Sequence, residues 1–510
     1  MYELAKHIGR SFLKIAALAS GVIATLAMLV PLDAQALPAF ARQTGQNCVA
    51  CHAGGQFPEL TPYGRMFKMT GYTIGSRGIP LSVMGVLDYA NVSNTSKSEN
   101  PKGPGGDFQK NGDLVFGSAS LFIAGKITDN IGLFSQITYN KYDHEGTDAN
   151  GDPNGKWVSH TNVDNIDLRY ADRFVDANSD LIIGVSANNN PSVTDPWNTA
   201  AAWMQYVPPA GLPSYQFADA STPYPSNATG GNVAGLTAYA YWNQKVYAEL
   251  GFYQTANQVF NFMSAGIASA DKTMLKGDFN PYGRLAFTHE WGPNSIMVGA
   301  TGGEVHLYDN NDSSDPNNAY RVRNVGVDTQ YQYLLDPHAI TVQAAYMKQK
   351  TNLSANGVAG LAPSGNFFTD PSLTDPLAAG NSSDTTNTFR AKLTYVYRAQ
   401  YGGSLAFFNL TGTTDTALQS SGFESTCTNG ESICSSANGG NSVPVNGNLS
   451  GDPATRGMTY ELFWTPIQYI RVGMQYTAYN KYNGASSNYD GFGRNASDNN
   501  TLFGYVWLAY

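Results

Sequence analysis

Beyond its first 36 residues this 510-residue chain has no apolar run long enough to cross a bilayer as a helix, which excludes a helical membrane domain there. Charge is scarce too: Asp, Glu, Lys and Arg make up 14% of the residues, the net charge is -9, and no basic cluster suits a nucleic acid. Cysteine is rarer still, with four in all, two of them at positions 48 and 51. Aromatic residues, by contrast, reach 12%, and there are 53 glycines. Many Tyr, Phe and Gly with few charges and no spanning helix is the composition of membrane β-strands whose apolar and polar residues alternate. A soluble array of β-sandwiches is the alternative that the order of segments must decide.

The N-terminus has Lys6, Arg10 and Lys14 around the start of an uncharged run, Ile15 to Val30, and then Ala34-Gln35-Ala36. This is the layout of a cleaved export signal over 1–36, with the mature chain starting near Leu37.

From residue 80 onward, windows rich in Tyr, Phe, Val, Ile and Thr alternate with a period of two. Sixteen are expected as strands: 81–93, 113–127, 130–141, 163–174, 178–188, 232–242, 244–256, 279–290, 294–307, 322–335, 338–350, 385–398, 401–412, 455–465, 467–481 and 497–510. Tight connections such as TDN at 128–130, WGPN at 291–294 and LDPH at 335–338 alternate with long polar ones. That regularity predicts an all-β, antiparallel, up-and-down transmembrane barrel with short turns at one end and long loops at the other. A sandwich has no reason to place every long loop at one end. The chain closes on TLFGYVWLAY, ending in Tyr510, as a terminal sorting strand of an outer-membrane barrel would.

Alternation also assigns faces. Ile470, Val472, Met474 and Tyr476 should meet lipid while Arg471, Gln475, Thr477 and Lys481 face the lumen. Phe389, Ala391, Leu393 and Tyr395 alternate with Arg390, Lys392, Thr394 and Arg398, and Ile166, Leu168 and Tyr170 with Asp167, Arg169 and Arg173. Charge at every second position requires that face to be wet, because an Arg or Lys facing lipid at mid-bilayer costs about 2–4 kcal/mol.

Ahead of the strands, residues 37–78 form a separate unit carrying Cys48-Val-Ala-Cys51-His52. Two thiols three apart can form thioethers with both vinyl groups of one haem, and the adjacent histidine then lies under the iron. A redox or structural disulfide beside a chance histidine, or half of a zinc site, would use the same residues; 37–78 contain no other Cys or His to complete a zinc site. Downstream, Thr61 is a capping residue, Pro62 suits a first helical position and Gly71 a stop, so 62–70 reads as a short helix carrying Met66 and Met69. Either thioether could be the distal iron ligand, or merely pack on the porphyrin; Lys68 or a water could serve instead. So small a unit needs a docking surface. The lumen of the 79–510 barrel offers one, where Arg169, Arg173, Arg284, Arg390 and Arg471 could pair with haem propionates.

Cys427 and Cys434 read as a loop-closing disulfide. The clusters Asp143-His144-Glu145, Asp148 to Asn154 and Asp309 to Asp315 are oxygen-rich, as solvated turns are and as Ca²⁺ loops would be.

The stretches LPAFARQTGQNCVACH and FPELTPYGRMFKMTGY resemble the N-terminal signature of the fused outer-membrane cytochrome-porins of iron-oxidising bacteria, a match confined to about 37–75. The resemblance implies one haem c ahead of a sixteen-strand barrel, with Cys48 and Cys51 as attachment sites and His52 as proximal ligand. It implies an Fe(II):cytochrome c oxidoreductase activity, in which extracellular Fe(II) gives its electron to the haem and a periplasmic c-type cytochrome collects it. Two other functions use the same residues: a solute porin whose haem segment is a plug or redox sensor, and conduction outward to an extracellular acceptor.

Overall fold

The computed structural model describes residues 38–55, 59–94, 114–147, 153–197, 233–263, 274–308, 313–353, 381–415, 423–426, 441–444, 450–489 and 493–510. The leader 1–36, Cys427, Cys434 and Asp148 lie outside them, as do the side chains of 143–145.

Sixteen strands close into one antiparallel barrel: β1 Leu81–Val92, β2 Leu114–Lys126, β3 Ile131–Thr147, β4 Pro153–Val175, β5 Asp180–Asn188, β6 Val233–Trp242, β7 Val246–Thr255, β8 Asn280–Trp291, β9 Asn294–Tyr308, β10 Ala319–Leu335, β11 His338–Asn352, β12 Ser383–Tyr397, β13 Tyr401–Gly412, β14 Thr455–Ile467, β15 Ile470–Lys481 and β16 Thr501–Ala509. Each strand pairs with its neighbours in sequence, and β1 meets β16 in register from Met84↔Ala509 to Val92↔Thr501, which leaves no free edge. All sixteen expected windows are strands. Apart from the barrel sheet, 423–426 and 441–444 pair as a two-stranded antiparallel sheet.

Tight turns such as 292–293, 336–337 and 468–469 gather at one end of the ring, together with the start of β1 and the end of β16. The other end, the loop end, carries every long connection. The interior is polar and the exterior apolar. Glu461 is 7% exposed and its neighbour Leu462 72%; Glu249 is 1% exposed and Leu250 72%. A soluble protein arranges its surfaces the other way, whereas a lipid-embedded barrel must turn leucine outward. Among the described residues no helix is long and apolar enough to span a membrane.

The predicted faces hold along β15, where Arg471, Gln475 and Thr477 are buried inside and Val472, Met474 and Tyr476 are partly exposed outside. Four residues depart from expectation. Ile470, expected to meet lipid, is 2% exposed. Arg398 falls in the turn after β12, with φ 53°. Ile166 points outward but is 7% exposed, because Ala256 and Met263, on the connection after β7, fold back across the outer wall and cover it. Lys481 is half-exposed and reaches Asp452 at 3.0 Å.

Among the described residues three short helices precede the barrel: α1 Pro38–Thr44, α2 Cys48–Cys51 and α3 Pro62–Met69. They fill the lumen at the turn end. Phe40 and Phe67 of this plug pack at 4.9 Å between ring centroids, Phe40 stacks on Tyr72 at 5.3 Å, and Phe134 of β3 completes the cluster at 6.3 Å from Phe40.

Candidate functional site

Buried polar groups fix the plug around most of the ring. Gln43 donates from Nε2 to the carbonyls of Tyr72 and Ile74 and accepts the amide of Lys126 at 2.7 Å, so its whole amide is satisfied. Arg65 donates to Gln332 Oε1 at 2.9 Å and to Gln330 Oε1 at 3.2 Å, binding α3 to β10. Tyr72 donates to Asp167 at 2.6 Å, and Arg169 holds the same oxygen at 2.7 Å. On the opposite side Lys392 of β12 meets Glu59 at 2.8 Å.

At the rim lies the Cys-x-x-Cys-His turn. The amide of His52 donates to Cys48 O at 2.8 Å, closing α2, and the amide of Thr61 donates to Cys51 O at 2.9 Å. Thr61 Oγ1 also caps α3 by accepting from Gly64 N at 3.1 Å, with Pro62 following as the sequence predicts. Gly64 lets α3 sit directly on α2: a Cβ there would collide with the carbonyl oxygen of Cys51. Cys48 Sγ lies 3.6 Å from Gln468 O in the turn between β14 and β15, and the neighbouring Val49 is 48% exposed at the open mouth.

The donor set fits a covalently attached haem. Cys48 and Cys51 are unlinked thiols rather than a disulfide. Burial raises the Cys51 pKa to about 11, so it remains an SH group. Burial lowers that of His52 to about 4, which leaves a neutral imidazole at physiological pH. His52 Nδ1 is shut off from solvent with no hydrogen-bond partner. Zinc finds no such support, since among the described residues no group of three or more His, Cys, Asp or Glu side chains could hold a metal ion.

The candidate distal ligands separate. Met69 is 1% exposed and enclosed by Trp197, Tyr239, Tyr241, Tyr247 and Met297, with Tyr239 OH donating to its carbonyl at 2.7 Å. Met66 packs against the same cluster but is only partly buried. Lys68 is buried, donates to Asp195 O at 2.9 Å, and has its pKa lowered to about 8 by burial and, secondarily, by Arg169.

The five arginines separate as well. Arg169 is neutralised by Asp167, and Arg284 by Asp328 at 2.7 Å and Asp195 at 3.4 Å. Arg173 is a half-exposed rim residue paired with Asp180. Arg390 and Arg471 are buried in the lumen on the β12–β15 side, the side where Cys48, Gly54 and Glu59 contact the wall. Arg471 lies 3.7 Å over the Phe463 ring and 3.3 Å from Glu461.

Sequence reasoning missed the segment after β5, Asn189 to Trp197, which folds inward around helix α4, Pro191–Thr194. It brings a fully buried Trp197 and Asp195 against Arg284 and Lys68. A tryptophan within an otherwise polar loop was the one signal that could have found it.

These features define a class: a porin-like sixteen-strand β-barrel whose own N-terminal segment plugs the turn end. No protein-family model matches the chain, and no curated protein sequence matches it. Among solved structures, OmpT of Vibrio cholerae is similar at 10% identity over 84% of this chain and 96% of that one, with a TM-score of 0.38. The channel DcaP of Acinetobacter baumannii is similar at 10% identity over 84% and 96%, TM-score 0.39. OmpF of Salmonella typhi, in complex with daunomycin, is similar at 12% identity over 84% and 97%, TM-score 0.40.

Proposed function

We propose that the chain is an outer-membrane electron conduit that oxidises extracellular Fe(II) and delivers the electron to a periplasmic c-type cytochrome. The observation that carries this reading is the position of Cys48, Cys51 and His52 at the rim of a plugged lumen, inside a barrel whose exterior is built for lipid.

A haem c bound there supplies a one-electron iron couple. Cys48 and Cys51 would tether it and His52 would ligate its iron. Met66 is the better distal candidate, because it keeps an open side where Met69 is walled in by aromatic rings. Arg390 and Arg471 would meet the propionates, because they lie on the side of the lumen where Cys48 and Glu59 meet the wall; Arg471 would do so while also facing Glu461 at 3.3 Å. With the turn end in the periplasm, the exposed stretch Gly45 to Asn47 and Val49 offers a soluble cytochrome a way to the rim. At the loop end Fe(II) enters as substrate, and its insoluble product stays outside.

The test is to add Fe(II) to the purified oxidised protein and record the haem absorption bands. Reduction at the host's working pH is expected; its absence would reject the iron assignment. A neighbouring reading frame for a periplasmic cytochrome would favour conduction over solute uptake.

A further inference from the structure

Around most of the barrel the exterior is apolar, but on β10 and β11 its character changes toward the loop end. The outward rows run across neighbouring strands by register. From the turn end upward, Tyr333 lies beside Ile340 and Tyr395, Tyr331 beside Val342 and Leu393, and Val327 beside Tyr346 and Phe389. These rows are apolar or aromatic, with Val327 55% and Tyr346 43% exposed.

Two residues further on, Val325 lies beside Lys348, then Arg323 beside Lys350, then Arg321 beside Asn352. All four cations are exposed, and by alternation all four point outward. Tyr333 and Arg323 are ten residues apart. At about 3.3 Å per residue and the usual strand tilt, that spacing matches an apolar belt roughly 25 Å tall. The cations therefore stand just above the lipid chains, at headgroup level.

In a chain of net charge -9 this placement goes against the overall balance. Arg323 directly opposes Lys350, a like-charge cross-strand pair that is unfavourable without an anion. Among the described residues of β9 to β11 the outward carboxylate is Glu304, which is held by Arg323 at 2.6 Å; Asp328 of β10 is buried inside. On these strands four outward cations stand against that one carboxylate.

We propose that Arg321, Arg323, Lys348 and Lys350, standing on the apolar rows of Val325, Val327, Val342 and Tyr346, form a binding site for the phosphorylated headgroup of an outer-leaflet glycolipid of the lipid A type. Its phosphates would lie among the four cations and its acyl chains along the rows below. Free phosphate would have no use for those rows, and a zwitterionic phospholipid would neutralise less of the charge. The inference rests on the reading that the loop end faces the cell exterior.

The experiment is native mass spectrometry of the full-length protein, released from detergent after incubation with diphosphoryl lipid A. Controls are the same lipid with its phosphates removed, phosphatidylcholine, and millimolar inorganic phosphate as competitor. Retained lipid A adducts are expected, with retention falling roughly thirtyfold for each pair of cations removed, first in Arg323→Gln/Lys350→Gln and then with Arg321→Gln/Lys348→Gln added. Arg323→Lys/Lys350→Arg should keep them. Equal retention of the dephosphorylated lipid or of phosphatidylcholine, displacement by inorganic phosphate, or unchanged binding by the fourfold variant would each overturn the proposal. Heat-modifiable gel mobility verifies that each variant is a folded barrel. Insertion of the wild-type protein into vesicles tests the membrane reading separately, so the two failures are distinguishable.

Discussion

Lys392 Nζ lies 2.8 Å from Glu59 Oε1, joining residues 333 apart in sequence with side chains that are 10% and 5% exposed. This pair fastens the plug to the wall beside the cysteine-histidine turn. Removing one partner strands the other as a buried charge, at about 3–5 kcal/mol, whereas removing both costs far less. Glu59→Gln and Lys392→Met should each increase ion leakage through the barrel in planar bilayers, and the double variant should leak less than the sum of the two. Additive leakage would mean that the pair does not hold the plug.

Cys48→Ala/Cys51→Ala should abolish covalent haem staining while the barrel still folds and shows heat-modifiable gel mobility, because the sixteen-strand ring closes through its own backbone pairing. His52→Ala should keep the covalent stain but lose the low-spin spectrum.

Met69→Ala empties a site walled by Trp197, Tyr239 and Tyr247 and should cost about 2–5 kcal/mol of stability in denaturant titration. Met66→Ala should cost less stability and more of the low-spin spectrum. The reverse pattern would make Met69 the ligand.

Gly64→Ala should destabilise the plug by about 1–3 kcal/mol, because the new methyl group meets the Cys51 carbonyl and forces α3 away from α2. Haem incorporation, measured as the ratio of Soret to protein absorbance, should fall with it.

Lys68 gives a pH dependence of definite sign. Its pKa is about 8 in the folded protein against an ordinary 10.5. Below about 8 both states carry the ammonium, and the full cost of burying it is felt. Between the two values the unfolded chain binds more protons, so stability rises with pH across that interval. In haem-free protein, thermal unfolding should show this rise, and Lys68→Met should remove it.

Most of the architecture was legible because alternation is a local signal. Every strand was found, and the helix expected over 62–70 spans Pro62–Met69. The misses share a cause. β3 runs to Thr147 and β4 begins at Pro153, well past the windows at 130–141 and 163–174, because KYDHEGT at 141–147 and PNGKWVSHTN at 153–162 carry no regular period-two alternation to read. Residues 189–197 carry no periodicity at all, and only folding shows that Asp195 and Trp197 reach Arg284. Arg169, Arg284, Arg390 and Arg471 are buried inside as expected, whereas Arg173 lies at the rim and Arg398 in a turn; which of them already had a carboxylate depended on contacts between strands, such as Arg284 with Asp328.

The seam between β1 and β16 is where the ring shuts, and the plug lies on the chain just ahead of β1. In the shut ring Cys48 is buried against Gln468, so any machinery that modifies that thiol would have its widest access to an unclosed precursor.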